Sequence, residues 1–267
     1  MMSGNVVGAV LVGMLVWLVG PQAGGADAGT EHPGPSMLVS MPYESPPKVE
    51  AAPVGTVPPL AQALGPEDVK RAEALLPLLE GKQEFRAIGE FVHLGPGATP
   101  VLAKALAMPS PRVRYNAIET MLMIQDPGAV PSLIETAKSA TEIPRVREHA
   151  LRVSVRLDPP KAPPAIEALA KDPEPALRKA AAFEARYVRE KAVIPVLITL
   201  VSDEEKSVAV TAINSLWILT RHESEMHDWE TSTLADRTEW AQEWIDWWKT
   251  VQDTLQLPEP WTPRKPL

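Results

Sequence analysis

Apolar residues recur along the middle of the chain at helical spacing, and the spacing itself repeats at a longer interval. Val113, Ala117 and Ile124 lie at i, i+4 and i+11, which sets them on one face of a helix. The trio returns as Val146, Ala150 and Leu157, then Leu177, Ala181 and Val188, then Val208, Ala212 and Leu219, at steps of 33, 31 and 31 residues. A second signal runs in phase with the first: a proline followed two residues later by an apolar side chain, as Pro100 and Leu102, Pro131 and Leu133, Pro164 and Ile166, Pro195 and Leu197. Proline suits the first turn of a helix, where the N–H it lacks would have no acceptor. Asp126-Pro127 and Asp158-Pro159 stop one helix and turn the chain. The unit 111–139 therefore reads as two short antiparallel helices, and the chain as several such units in a row. One pair alone cannot bury both its apolar faces, so the array is stable only as an array.

Helices are also predicted over 66–80, with acids in its first turn, over 83–94, closed by Gly95-Pro96, and over 99–108. Trp240, Trp244, Trp247 and Trp248 form one stripe of a last helix over 236–251. Its bland role is a cap that seals Leu216, Trp217 and Leu219. The alternative is an exposed platform for glycan or peptide, which at that size would invite aggregation.

The string PRVRYNAIETMLMIQDPGAVPSLIETA resembles the HEAT repeat, in the short bacterial form typified by phycobilisome-lyase-type HEAT-like proteins. The resemblance spans about residues 66–220 and fades at both ends, where Lys82 replaces an apolar anchor and Ala209 replaces the Arg found at 114, 147 and 178. It implies an all-α, right-handed α-solenoid of about five helical hairpins with a Trp-rich closing helix. It says little about function, since the family mixes scaffolds, adaptors and a few enzymes.

The ends change the picture more than the average composition does. Residues 6–19 form an apolar run too short to span a bilayer, followed by the small residues of 23–28, so 1–28 reads as a signal peptide or, if uncleaved, an N-terminal anchor. The n-region MMSGN carries no Lys or Arg. Residues 29–63 are a Pro-rich, disordered spacer, 64–222 the solenoid, 223–251 the capping segment and 252–267 a disordered tail. The expected location is exported, periplasmic or associated with the cell envelope, with membrane contact only if the leader is retained.

A formal net charge of −8 argues against nucleic acid as a partner, because phosphate binding needs a basic face. The absence of cysteine removes disulfides, thiol nucleophiles and thiolate metal sites. Arg114, Arg147 and Arg178 hold one repeat position and would stack as a ladder. Either each braces an adjacent inter-helix turn, with Asp126 and Asp158 among the acceptors, or together they offer a cationic stripe to an acidic partner. The resemblance favours bracing. It also places the second helices on the concave face, with outward columns Ser132, Ala165, Val196; Glu135, Ala168, Thr199; and Lys138, Lys171, Ser202. That surface is a binding face by shape, and Glu135, Lys138 and Lys171 join the three arginines as candidate partner-binding residues. His222 and His227 are five residues apart, off a common helical face, and make a poor metal site. No cofactor, metal or catalytic constellation is expected. The reading is a non-enzymatic scaffold or adaptor for a protein or peptide. The alternatives are a lyase- or hydroxylase-related HEAT-like enzyme, which stoichiometric iron or zinc would reveal, and a glycan-binding module.

Overall fold

The computed structural model describes residues 63–258 apart from 223, 225 and 226. The expected leader, most of the spacer and the end of the tail lie outside the described residues. Within them the secondary structure is helical throughout, and no helix is long and apolar enough to cross a membrane. In chain order the helices are α1 (Pro66–Leu75), α2 (Glu84–Leu94), α3 (Thr99–Ala105), α4 (Pro111–Ile124), α5 (Val130–Lys138), α6 (Pro144–Leu157), α7 (Pro163–Ala170), α8 (Pro175–Ala185), α9 (Val193–Val201), α10 (Lys206–Thr220) and α11 (Leu234–Val251).

Local chemistry fixes the boundaries. Ser110 caps α4 by accepting from the N–H of Val113, and Pro111 follows it at the first helical position. The helix ends on Gln125 in the left-handed region, φ 58°. The Asp126 carboxylate then accepts from the N–H of Gly128 at 2.9 Å, closing the turn into α5. A Cβ at Gly128 would lie 2.9 Å from an oxygen of that carboxylate, so any larger residue there would push the Asp126 side chain aside. Thr233 and Asp236 form a reciprocal capping box that starts α11 two residues before the predicted helix. The predicted helix over 66–80 tightens to a 3-10 turn at Leu76–Leu79.

The helices lie in two layers. One holds α2, α4, α6, α8 and α10, each packed on the next; the other runs through α5, α7, α9 and α11. This is an α-solenoid. Ala117, Ala150, Ala181 and Ala212 are fully buried, as are Leu102, Leu133, Ile166 and Leu197 after the marker prolines. The strongest cohesion does not run within the pairs read from the sequence. α5 packs extensively on α6, α7 on α8 and α9 on α10, whereas α4 barely touches α5. The second helix of each unit is thus glued to the first helix of the next, which is why an isolated unit has no core of its own.

α11 closes the array against α9. Trp244 is buried there, and Trp240, Trp247 and Trp248 are half-buried against the core. Beyond α11, Leu255 and Leu257 also rest on the core, and Lys191 donates to the carbonyl of Gln252 at 2.8 Å.

Candidate functional site

The three ladder arginines sit in the first turn of α4, α6 and α8, and each grips the turn that joins one unit to the next. Arg114 pairs with Glu142, with Nη2 2.8 Å from the carboxylate, and donates to the carbonyls of Met108 and Pro109 at 2.7 and 2.8 Å. Arg147 donates to the carbonyl of Ala137 at 2.9 Å and pairs with Asp172 at 2.6 Å. Arg178 clasps Asp203 through two nitrogens at 2.7 and 2.8 Å and donates to the carbonyls of Asp172 and Pro173 at 2.9 and 3.1 Å.

Asp126 and Asp158 are not the acceptors. They follow the last turns of α4 and α6, and twelve or so helical residues separate them from the arginines by about 18 Å. Asp126 instead holds its own turn, and Asp158 pairs with Lys161 at 2.7 Å. The ladder also has a fourth rung that the repeat did not announce. Arg237 on α11, almost fully buried, donates to the carbonyls of Asp203 and Glu204, doing for the last turn what Ala209 cannot.

On the second helices, Glu135 and Lys138 are exposed and pair with each other at 2.9 Å, while Lys171 pairs with Glu167 at 2.7 Å. The column Ser132, Ala165 and Val196 does not face outward as expected. Ala165 is fully buried and the other two are half-buried, because α5, α7 and α9 pack side against side along that line. His222 and His227 are taken up by the closing helix: His222 stacks on Trp247 at 4.3 Å and meets Trp244 edge-on, and His227 stacks on Trp240 at 4.2 Å. Among the described residues, no group of three or more metal-capable side chains converges.

A concavity lies in the other layer. A trough of about 840 Å³ runs between α6 and α8, lined by Glu148, Arg152, Arg156, Lys179, Phe183 and Tyr187 among others. Phe183 and Tyr187 are 42% and 54% exposed, with their rings edge-to-face at 5.9 Å. Arg186 lies over the Phe183 ring at 4.2 Å and donates to the Ser215 hydroxyl, fixing the ring from beneath. Glu184 lies buried at the trough wall. Burial pushes its carboxyl above the ordinary value, helped by Glu148 and opposed by Arg152 and Arg156.

Beside the trough, Tyr115 stacks on the buried His149 at 4.1 Å, and Arg145 lies over the Tyr115 ring, 5.0 Å from its centre. The Nδ1 of His149 lies 2.7 Å from an Arg152 nitrogen, and its Nε2 lies 3.0 Å from Glu119 without hydrogen-bond alignment. Burial, then Arg152, Arg156 and Arg145, lower its pKa from 6.5 to about 4. The imidazole is therefore neutral at pH 7 and accepts from Arg152, holding that guanidinium toward the trough. Because the unfolded chain takes up this proton at higher pH than the folded one, His149 withdraws stability as pH falls from 6.5 through about 4. Glu184, with a raised pKa, acts in the opposite sense. The stability difference between the native chain and a His149→Gln variant is expected to shift against the native chain across that interval by at most roughly 3 kcal/mol. Urea titrations at stepped pH measure it, and a difference independent of pH would refute the buried neutral imidazole.

Sequence reasoning from burial periods missed the trough, because its residues lie on the outer face of the first helices. The signal was in the register. Arg152 and Arg156, advanced by one 31-residue step, become Phe183 and Tyr187, and moved back by 33 become Glu119 and Met123.

The sequence model of HEAT repeats matches residues 57–154, 99–175 and 162–225. No curated protein matches the chain in sequence. Among solved structures it is similar to the complex of CpcE and CpcF of phycocyanin lyase from Nostoc sp. PCC7120, at 21% identity and a TM-score of 0.44, over 56% of this chain and 98% of that one.

Proposed function

Since the chain belongs to the HEAT-repeat family, we propose that it is an exported, non-catalytic scaffold that holds a partner protein or peptide against its helical array. The observation that carries this reading is the pair of layers itself. A row of helices joined by short braced turns offers a long, rigid surface, and rigidity lowers the ordering cost of binding. Support for export comes from the sequence alone: the short apolar run, the small residues after it and the Pro-rich stretch that follows.

Photocrosslinking in the native cell tests the proposal. A photoreactive phenylalanine placed in the full chain at Tyr187, and separately at Lys171, samples both layers. The expected result is a discrete adduct with a protein neighbour from at least one position, with the chain recovered from the envelope fraction. Absence of any adduct from either layer would overturn the scaffold, and recovery with the cytoplasm would overturn export.

A further inference from the structure

The ladder arginines and the trough arginines share a residue type and differ in what surrounds them. Arg114, Arg147 and Arg178 have their donors engaged by turn carbonyls and carboxylates. Arg152, Arg156 and Lys179, facing the trough, take part in no ion pair among the described residues. Arg152 is held by the neutral His149; Arg156 and Lys179 are exposed. These three cations share the trough with two carboxylates, Glu148 and the buried Glu184, whose pKa is raised, so the balance of charge there is positive in a chain of net charge −8. Beside them stand two exposed aromatic rings, one of them braced by Arg186.

We propose that the trough between α6 and α8 docks a short acidic segment of the partner protein, with its carboxylates on Arg152, Arg156 and Lys179 and an aromatic or aliphatic side chain against Phe183 and Tyr187. This rests on the scaffold reading and names the chemistry of the partner at one site. Charge complementarity argues for the occupant. The cations outnumber the two carboxylates of the lining, Glu148 and Glu184, and attract the carboxylates of a ligand. Guanidinium groups pair with carboxylates in two-pronged fashion, and exposed rings beside them supply the apolar contact that acidic residues alone lack. The trough is wide and open, which suits a few side chains of an extended or helical peptide.

The test pans a phage-displayed random peptide library, of about twelve residues, on the full chain and on its Arg152→Glu/Arg156→Glu variant. Circular dichroism first checks that the variant keeps the helical signal and melting point of the native protein. The native chain is expected to enrich peptides with clustered Asp or Glu around an aromatic residue or Leu, and the variant is not. The strongest peptide, synthesised with a fluorophore, should lose at least roughly tenfold in affinity on the double charge reversal and on Phe183→Ser, and weaken with added salt. Lys138→Glu/Lys171→Glu, on the other layer, should leave it unchanged. Enrichment of basic or uncharged peptides, equal enrichment on the variant, or no enrichment would overturn the site. An adduct from Lys171 together with failed panning would leave the scaffold standing and remove this trough from it.

Discussion

Replacing Arg147 with alanine is expected to cost the fold about 3–5 kcal/mol at neutral pH, because it strands a buried carboxylate. Arg147 and Asp172 are each about 8% exposed and lie 2.6 Å apart. Neither can turn to water when the other is removed. Asp172 would keep the N–H of Glu174, at 2.9 Å, and the neighbouring charge of Arg178 but no direct ion pair, and the Ala137 carbonyl would lose its donor. Arg147→Lys should recover part of the loss, since an ammonium supplies charge but not the geometry that reaches both the carbonyl and the carboxylate. Arg147→Met combined with Asp172→Leu should be less destabilised than Arg147→Ala alone, because no charge is left unpaired. Urea denaturation followed by circular dichroism measures all three. A loss below about 1 kcal/mol for the single change would mean that the pair behaves as an exposed one.

The second large effect is expected at Trp244. It is 2% exposed and the largest buried side chain among the described residues. Its ring meets His222 at 5.1 Å and Trp247 at 5.3 Å, edge to face in both cases. Trp244→Ala should cost about 3–5 kcal/mol through lost burial and the cavity left behind. The loss falls on a terminal element, so it should show first as undocking of α11 and only at higher denaturant as unfolding of the array. Limited proteolysis would then cut within 221–251 at denaturant concentrations where the native chain resists. Trp247→Ala, at a half-buried position, should cost less. Equal resistance of the Trp244→Ala variant and the native chain would refute the capping role.

The sequence disclosed some of this and hid the rest for identifiable reasons. The buried face of each helix was readable because a fixed residue period must put Ala117, Ala150, Ala181 and Ala212 where two helices meet. Helix starts were readable from Pro111 and the prolines of the second helices, since a proline's fit to the first helical turn is local chemistry. Which helices cohere most was not readable, because chain proximity suggests α4 with α5, while the broad contact is between α5 and α6. The acceptors of the arginine ladder were misplaced by weighing residue type without distance along the helix. Arg237 escaped notice because it enters the ladder from α11, outside the repeat. The trough residues obey no burial period, since solvent-facing positions are free to vary. Only comparison down the columns at Arg152 and Phe183, and at Arg156 and Tyr187, marks them.

Between Arg147 and Arg237 the turns are held from both sides. The Asp172 carboxylate goes to Arg147 and its carbonyl to Arg178; the Asp203 carboxylate goes to Arg178 and its carbonyl to Arg237. Asp172 and Asp203 stand one 31-residue step apart and present the same two groups in the same roles. Such a coupling is indifferent to the number of segments on either side of it. A lineage could lengthen or shorten the molecule by whole steps, through duplication or excision, and each new junction would inherit a ready-made fastening.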